Sequence, residues 1–289
     1  MMFSKPNISI VLPARNEAPS LTTLLPAIRL QVPGAEILVV DDGSSDGTDI
    51  LCEAHQVTRI AHPYPKGNGA AIKTGARAAR GEIIVFMDAD GQHQPEDIPR
   101  LLAKLDEGYD MAVGSRSFGD HAGAHRGFAN GVFNRFASWM VNHPVEDLTS
   151  GFRAVRAECF RRFLYLLPNS FSYPTTCTMS FFRAGLGVAY VPVNMPPRIG
   201  DSHIRPLRDG IRFLLIILKI GTLYSPLKLF LPVSASFFAT GLGYYIYTYI
   251  SYSRFSNMSA LLFIAAILAF LIGIVSEQIT ALSYKDSEY

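Results

Sequence analysis

Short apolar runs alternate with segments of helical spacing through the first two-thirds of the chain. Ile8-Ser9-Ile10-Val11-Leu12, Glu36-Ile37-Leu38-Val39-Val40 and Ile83-Ile84-Val85-Phe86-Met87 read as buried strands. Leu21, Leu24, Leu25 and Ile28 recur at helical spacing after the first of them. The alternation continues through Asp110–Ser115, a helix is expected over Phe128 to Val141, and Gly187–Val193 reads as a final strand. Such a chain implies a mostly parallel sheet with helices on both faces and ligands beyond the C-terminal strand ends. From Pro206 to Tyr224 the pattern changes to an amphipathic helix. Arg208, Arg212 and Lys219 share one face and Phe213, Leu214, Ile217 and Leu218 fill the rest, which suits the headgroup layer of a bilayer. Lys228 and Arg254 then enclose 25 uncharged residues, and Arg254 and Glu277 enclose 22. Each exceeds the roughly 20 residues of helix that cross the hydrocarbon core, so a transmembrane hairpin is expected. The pattern divides the chain into a cytoplasmic domain (1–205), an interfacial helix (206–226) and a hairpin with a short tail (227–289), the hairpin also offering a surface for self-association.

Composition and charge narrow this picture. The 289 residues suffice for one large α/β domain and an appendage. Net charge is only +2 and the bases form no single run, which argues against nucleic acid as a partner. Charged residues at 17% and hydrophobic ones at 49% point to a membrane partner. Cys52, Cys159 and Cys177 are odd in number and lack C-x-x-C spacing, so neither disulfides nor zinc is expected. After Pro6 the chain enters a strand without a signal-peptide core, which places the first domain in the cytoplasm. Bases crowd the segment before Leu229, Lys285 follows the second span, and Arg254 alone marks the connecting loop. The positive-inside rule therefore puts both ends of a multi-pass inner-membrane protein in the cytoplasm. Tyr244, Tyr245, Tyr247, Tyr249 and Tyr252 suit an interfacial belt on the far side.

Candidate chemistry gathers at three strand ends: Arg15 and Glu17, Asp41 and Asp42, and Asp88 and Asp90. A buried strand ending in two carboxylates needs a partner for them, because desolvated like charges repel. Asp88 and Asp90 leave on the same side of the pleat, so both can face one Mg²⁺ or Mn²⁺ carrying a diphosphate. The Gln92 carbonyl or a His93 nitrogen offers a further ligand. Two other motifs fail on inspection. Asp42-x-Ser44-x-Asp46-Gly47 with Glu53 approaches an EF-hand loop but follows a strand rather than a helix. Gly67-Asn68-Gly69 with Lys73-Thr74 approaches a P-loop and a dinucleotide fingerprint, yet Ile72 stands where either needs glycine. Two readings of that stretch stand side by side. One is a glycine-loosened helix start with tightly packed alanines; the other adds Lys66 and the loop amides as a phosphate cradle. Asp147 precedes Thr149 and Ser150, where spacing favours a cap; a reactive carboxylate is the alternative.

Six motifs occur in order: Pro-Ala-Arg-Asn-Glu (13–17), Val-Val-Asp-Asp-Gly-Ser (39–44), Lys-Gly-Asn-Gly (66–69), Met-Asp-Ala-Asp-Gly-Gln-His (87–93), Gly-Ser-Arg (114–116) and Asp-Leu-Thr-Ser-Gly-Phe-Arg (147–153). Together they resemble the polyprenyl-phosphate glycosyltransferases related to dolichol-phosphate mannosyltransferase, inverting members of glycosyltransferase family 2. The resemblance runs from Ile8 to Arg205 and implies a GT-A-like nucleotide-diphospho-sugar transferase fold with a divalent metal. It implies that Pro13, Ala14, Arg15, Glu17, Asp41 and Asp42 hold base and ribose, with Lys66, Gly67 and Asn68 completing the nucleotide-sugar site. Asp88, Asp90 and Gln92 would hold the metal and, through it, the diphosphate. Arg116, Arg126 and a base among Arg198, His203 and Arg205 would take the acceptor's phosphate, with Asp90, Asp147 and Arg116 at the reaction centre. His203 stands where family members often carry lysine. The implied reaction moves a sugar from a UDP- or GDP-sugar to undecaprenyl or dolichyl phosphate. The alternative is transfer to another acceptor hydroxyl in cell-envelope glycan synthesis.

Overall fold

A computed structural model describes residues 8–116, 124–169, 172–194, 218 and 221–285. The chain divides into two compact units, Met1–His203 and Ile204–Tyr289. In the first, seven strands form one sheet: β1 (Ile8–Ala14), β2 (Glu36–Asp41), β3 (Thr58–Ala61), β4 (Ile83–Phe86), β5 (Met111–Arg116), β6 (Arg153–Arg156) and β7 (Val188–Val193). Their order is β3-β2-β1-β4-β6-β5-β7, with β6 alone antiparallel to its neighbours. The mostly parallel sheet is as the sequence pattern implies. The difference lies at β6: the sequence of Val145 to Arg153 reads as a polar turn before another helix, and a four-residue strand comes first. Arg-Ala-Val-Arg is too short to show alternation, and its first residue is a fully buried arginine.

Helices cover both faces, which is why the central strands are apolar throughout. Ile10 and Leu12 of β1, Ile37 and Val39 of β2, and Val85 of β4 face α1 (Ala18–Gln31) and α4 (Ile98–Asp106). Those helices contribute Leu21, Leu24, Leu25 and Ile28, and Ile98, Leu101 and Leu105, at the spacing of one helical stripe. A 3₁₀ turn (Pro95–Asp97) leads into α4, and α2 (Thr48–Ala54) adds Cys52 to the same layer. On the opposite face α3 (Asn68–Ala78) crosses β1 and β2, and α6 (Ala157–Arg161) brings Phe160 against Phe86 with ring centroids 4.6 Å apart. Two further helices, α5 (Ala124–Val141) and α7 (Tyr173–Arg183), complete the unit.

The approach of α3 is close because Gly75 has no side chain. A Cβ there would stand 2.3 Å from Val11 Cγ1 and 3.2 Å from Val40 Cγ2. Replacing a helical glycine by alanine ordinarily gains up to about 1 kcal/mol of helix propensity. Overpacking a full core costs about 1–3 kcal/mol, so the loss is the larger effect. Gly75→Ala is expected to lower the thermal midpoint of the purified protein; a raised midpoint would contradict this packing.

In the second unit α8 (Pro226–Tyr252) and α9 (Asn257–Lys285) form an antiparallel hairpin, both long and apolar enough to cross a membrane. Small residues bring them together: a Cβ at Gly273 would lie 2.8 Å from Phe230 Cβ, and one at Gly241 3.0 Å from Leu262 Cβ. The Ser234 hydroxyl donates to the Ala266 carbonyl at 2.8 Å. Glu277, the one acid inside these spans, accepts a hydrogen bond at 3.3 Å from the Leu227 amide, in the first turn of α8. Most of the segment expected to form an amphipathic helix lies outside the described residues; 218 and 221–224 are helical.

Candidate active site

Three neighbouring strands end at one cleft of about 450 Å³. Pro13, Ala14, Arg15 and Glu17 come from the end of β1, Asp42 from β2, and Asp88, Ala89, Asp90 and Gln92 from β4. The start of α3 supplies Gly67, Asn68 and Ala71. Loop-to-loop bonds fix this rim. The Asn16 amide donates to Ser44 Oγ (3.0 Å), the Ser45 amide to Asn16 Oδ1 (2.9 Å), and the Ala18 amide to Asp46 Oδ2 (2.8 Å). The loop carrying Arg15 and Glu17 is thereby tied to the one after β2. None of these latching residues carries a signal separable from ordinary turn chemistry.

Past β4 the chain keeps its alternation: Met87 and Ala89 are buried, while Asp88 and Asp90 are half-buried and line the cleft. Neither carboxylate has an ion-pair partner among the described residues. The nearest polar contacts are neutral donors, Asn68 Nδ2 to Asp88 Oδ1 at 3.4 Å and the Gln92 amide to Asp90 Oδ1 at 3.1 Å. Asn68 Oδ1 is buried with no hydrogen-bond partner. Two uncompensated carboxylates and an open carboxamide oxygen make a hard, anionic donor set, which fits Mg²⁺ or Mn²⁺. No three His, Cys, Asp or Glu groups cluster as a closed cage among the described residues. Gly151 is needed here, since a Cβ would stand 2.8 Å from Asp88 Oδ2.

His93 sits behind the carboxylates rather than among them. Its Nδ1 accepts the Asp88 amide hydrogen at 3.0 Å, and the ring stacks on Phe152 at 5.0 Å. Burial pushes its pKa down against the pull of Asp88 and Asp90, in keeping with Nδ1 serving as the acceptor of that amide. The ligand nitrogen considered from sequence is therefore bonded to the backbone at Nδ1.

The two aspartates ending β2 separate. Asp41 does not line the cleft: its Oδ2 accepts from Arg59 Nε (2.9 Å) and Nη2 (2.6 Å), and its Oδ1 from the Ser44 amide (2.8 Å). The residue expected to hold base or ribose thus bonds Arg59 and Ser44 and is not among the cleft-lining groups. Asp42 does line the cleft, and it accepts from His62 Nδ1 and the Lys66 amide (2.7 Å each) and from the Gly67 amide (2.8 Å). Burial alone would raise both carboxyls; these hydrogen bonds outweigh it and hold both below the usual carboxylate range. Lys66 reaches over the Tyr64 ring, 5.5 Å from its centroid, and its side chain is not among the cleft-lining groups.

On the other side of β4, Arg116 ends β5 and lines a second cavity of about 650 Å³ with Asn134, Arg135 and Glu146. Its Nε lies 3.3 Å from Asp147 Oδ2, buried and outside hydrogen-bonding geometry. Asp147 Oδ1 accepts from the Thr149 amide (2.9 Å), the Thr149 hydroxyl (2.9 Å) and the Ser150 amide (3.1 Å). Oδ1 makes the bonds expected of a cap, but the turn they close leads into β6 rather than a helix; Oδ2 faces the arginine and lies 3.5 Å from its amide. Asn134 on α5 brackets the same turn, donating to the Glu146 carbonyl and accepting from the Leu148 amide at 3.2 Å. Arg126 falls on the first turns of α5, with its side chain outside the described part; Arg198, His203 and Arg205 lie outside the described residues.

Comparison with known proteins bears on this arrangement. Residues 9–164, more than half of the chain, match the profile of glycosyl transferase family 2. The chain belongs to that family. This glycosyltransferase also matches the GtrB C-terminal hairpin over residues 225–282. Its similarity to glycosyltransferase AglJ of Haloferax volcanii is 28% identity, over 95% of this chain and 94% of that one. An undecaprenyl-phosphate mannosyltransferase of Micrococcus luteus is 33% identical over 67% and 86% of the respective chains. The polyprenol monophosphomannose synthase of Mycolicibacterium smegmatis is 30% identical over 65% and 77%. Among solved structures, glucosyl-3-phosphoglycerate synthase of Mycobacterium tuberculosis, in complex with Mn²⁺, UDP and glucosyl-3-phosphoglycerate, superposes with a TM-score of 0.59. It shares 24% identity over 75% of this chain and 79% of that one, which establishes the shared GT-A fold.

Proposed function

We propose that this glycosyltransferase moves a sugar from a nucleoside diphosphate to a polyprenyl monophosphate at the cytoplasmic face of the membrane, with inversion at the anomeric carbon. The relatives named for undecaprenyl-phosphate and polyprenol substrates support the acceptor class. The observation that carries the reading is the state of Asp147. Its carboxylate accepts three donors from its own turn and faces Arg116. It is poorly placed to take a proton from a sugar hydroxyl. A phosphate acceptor is already ionised at neutral pH and needs no strong base, so the acceptor-hydroxyl alternative is the weaker fit.

In this reading the rim at Pro13–Glu17 and Asp42 holds the nucleoside, and Asp88 and Asp90, with Gln92, hold the cation. When bound, that cation neutralises charge developing on the leaving diphosphate. An acceptor phosphate oxygen attacks the anomeric carbon as the bond to the diphosphate breaks, releasing the nucleoside diphosphate. Arg116, with Arg126 and a base from 198–205, holds the acceptor's phosphate against the repulsion of the diphosphate by charge-assisted contacts. The apolar hairpin anchors the enzyme where lipid phosphates lie. The donor is tested by thermal stabilisation. UDP or GDP is expected to raise the melting midpoint in Mn²⁺ and to do so much less in EDTA. Equal stabilisation by every nucleotide, metal or not, would count against the site.

Topology is tested separately. With two spans, a periplasmic reporter fused after Tyr289 should stay inactive and one inserted beside Arg254 should be active. Activity at the C-terminus would overturn the cytoplasmic placement.

A further inference from the structure

His62 follows β3, an edge strand whose residues are mostly exposed, yet it is itself only 7% exposed. Its ring and backbone amide make three contacts. Nδ1 lies 2.7 Å from Asp42 Oδ1 at the end of β2, Nε2 lies 3.0 Å from Thr74 Oγ1 on α3, and its amide donates to the Asp41 carbonyl at 2.8 Å. Asp42 is a carboxylate and only accepts, so Nδ1 carries a proton toward it. Nε2 and the Thr74 hydroxyl share the second hydrogen bond of the ring. The other bonds of Asp42 go to the amides of Lys66 and Gly67. Gly67 adopts φ +100° and opens α3, and Asp42, Gly67 and Asn68 all line the donor cleft. His62 does not line it.

We propose that His62 is a positioning residue for the nucleotide donor: it fixes the Asp42 carboxylate, and through it the turn at Lys66–Gly67, in the orientation the nucleoside diphosphate meets. The inference rests on the reading of this cleft as the donor site and adds a residue outside it that governs donor affinity. A buried histidine that serves packing alone would lower stability when replaced without selecting among substrate constants. A positioning role follows the donated hydrogen bond. Asn places its amide near the position of Nδ1 and can still donate to Asp42. Gln places its amide near Nε2 and keeps only the Thr74 contact.

The test compares His62→Asn, His62→Gln, His62→Ala and Thr74→Val in the full-length, detergent-solubilised enzyme. The measurements are UDP and GDP affinity by calorimetry in Mn²⁺, thermal midpoint, and donor KM and kcat at saturating acceptor. Weakening of nucleotide binding by roughly three- to thirty-fold is expected for His62→Ala and His62→Gln, with kcat at saturating donor within about twofold of wild type. His62→Asn should recover most of the affinity, and Thr74→Val should fall between. If all four bind nucleotide as wild type does, or Asn and Gln lose affinity equally in step with the thermal midpoint, His62 is a packing residue and the proposal fails. If the unmodified enzyme binds neither nucleotide, the donor-site reading fails instead, so the two failures are distinguishable. Should His62→Ala not fold, the contrast between Asn and Gln carries the decision.

Discussion

Asp90→Asn is expected to abolish turnover while the protein still folds and inserts. The substitution keeps the shape of the side chain and the acceptor for the Gln92 amide, 3.1 Å away. What it removes is one of two carboxylates that line the cleft without an ion-pair partner among the described residues. In the unliganded protein, two neighbouring anions in a half-buried setting repel, so losing one should leave stability unchanged or slightly raised. In the loaded enzyme the same loss removes hard ligand charge where the diphosphate must be neutralised. Deleting one preorganised electrostatic contact typically lowers kcat by about a hundred- to a thousandfold, and a metal ligand belongs at the upper end. The accompanying binding measurement is the Mn²⁺-dependent part of nucleotide affinity, which should vanish in the variant and leave the metal-independent part in place. Near-normal activity in Asp90→Asn, or full wild-type activity in excess EDTA, would remove the metal assignment.

Arg116→Ala should act on the other substrate. The guanidinium ends β5, its Nε is buried without hydrogen-bonding geometry, and its counter-charge is Asp147 at 3.3 Å. The Oδ1 of that carboxylate accepts three donors of its own turn and its Oδ2 lies 3.5 Å from the Arg116 amide, contacts that Arg116→Ala leaves in place. A solvated surface arginine would be nearly neutral on replacement. Charge-assisted contacts to phosphate are worth about 1.5–3 kcal/mol, or roughly ten- to a hundred-fold in affinity. The loss should appear in the acceptor's apparent KM, with nucleotide binding by calorimetry nearly unchanged. Arg116→Lys should restore part of it, because charge returns without the two-pronged geometry. An equal weakening of nucleotide binding would assign Arg116 to the donor instead.

The two halves of the site differed in how far they could be read from the chain. The cleft at the ends of β1, β2 and β4 was legible because carboxylates at the ends of apolar runs are chemically costly and therefore conspicuous. The ends of β1, β2 and β4 carry them, and those strands are neighbours in the sheet. Asp41 and Asp42 could not be told apart, since adjacent residues on a strand point to opposite faces and composition does not say which faces the ligand. Arg59 on the neighbouring β3 engages Asp41, a pairing of residues 18 apart in sequence, and Asp42 is the one of the two that lines the cleft. Asp147 carried two readings because a cap and a reactive carboxylate have the same spacing; in the structure its Oδ1 takes the Thr149 and Ser150 donors. β6 was hidden by its length and by buried Arg153. Nη1 and Nη2 of that guanidinium donate to the Pro174 carbonyl and Thr178 Oγ1 and to the Ser150 carbonyl, partners no local pattern announces, while its buried Nε has none. Gly151 and His62 show the same limit: each matters through a contact more than 15 residues away in sequence.

The central claim is that the acceptor is a lipid monophosphate, and transfer of labelled sugar tests it most directly. Purified enzyme, Mn²⁺ and a radiolabelled nucleotide sugar matching the stabilising base would be incubated with undecaprenyl phosphate, with undecaprenol, or with neither. Label is expected in the organic phase with undecaprenyl phosphate alone, as a mild-acid-labile phosphodiester of inverted anomeric configuration. Equal labelling of undecaprenol, or transfer to a sugar hydroxyl without any lipid phosphate, would contradict it.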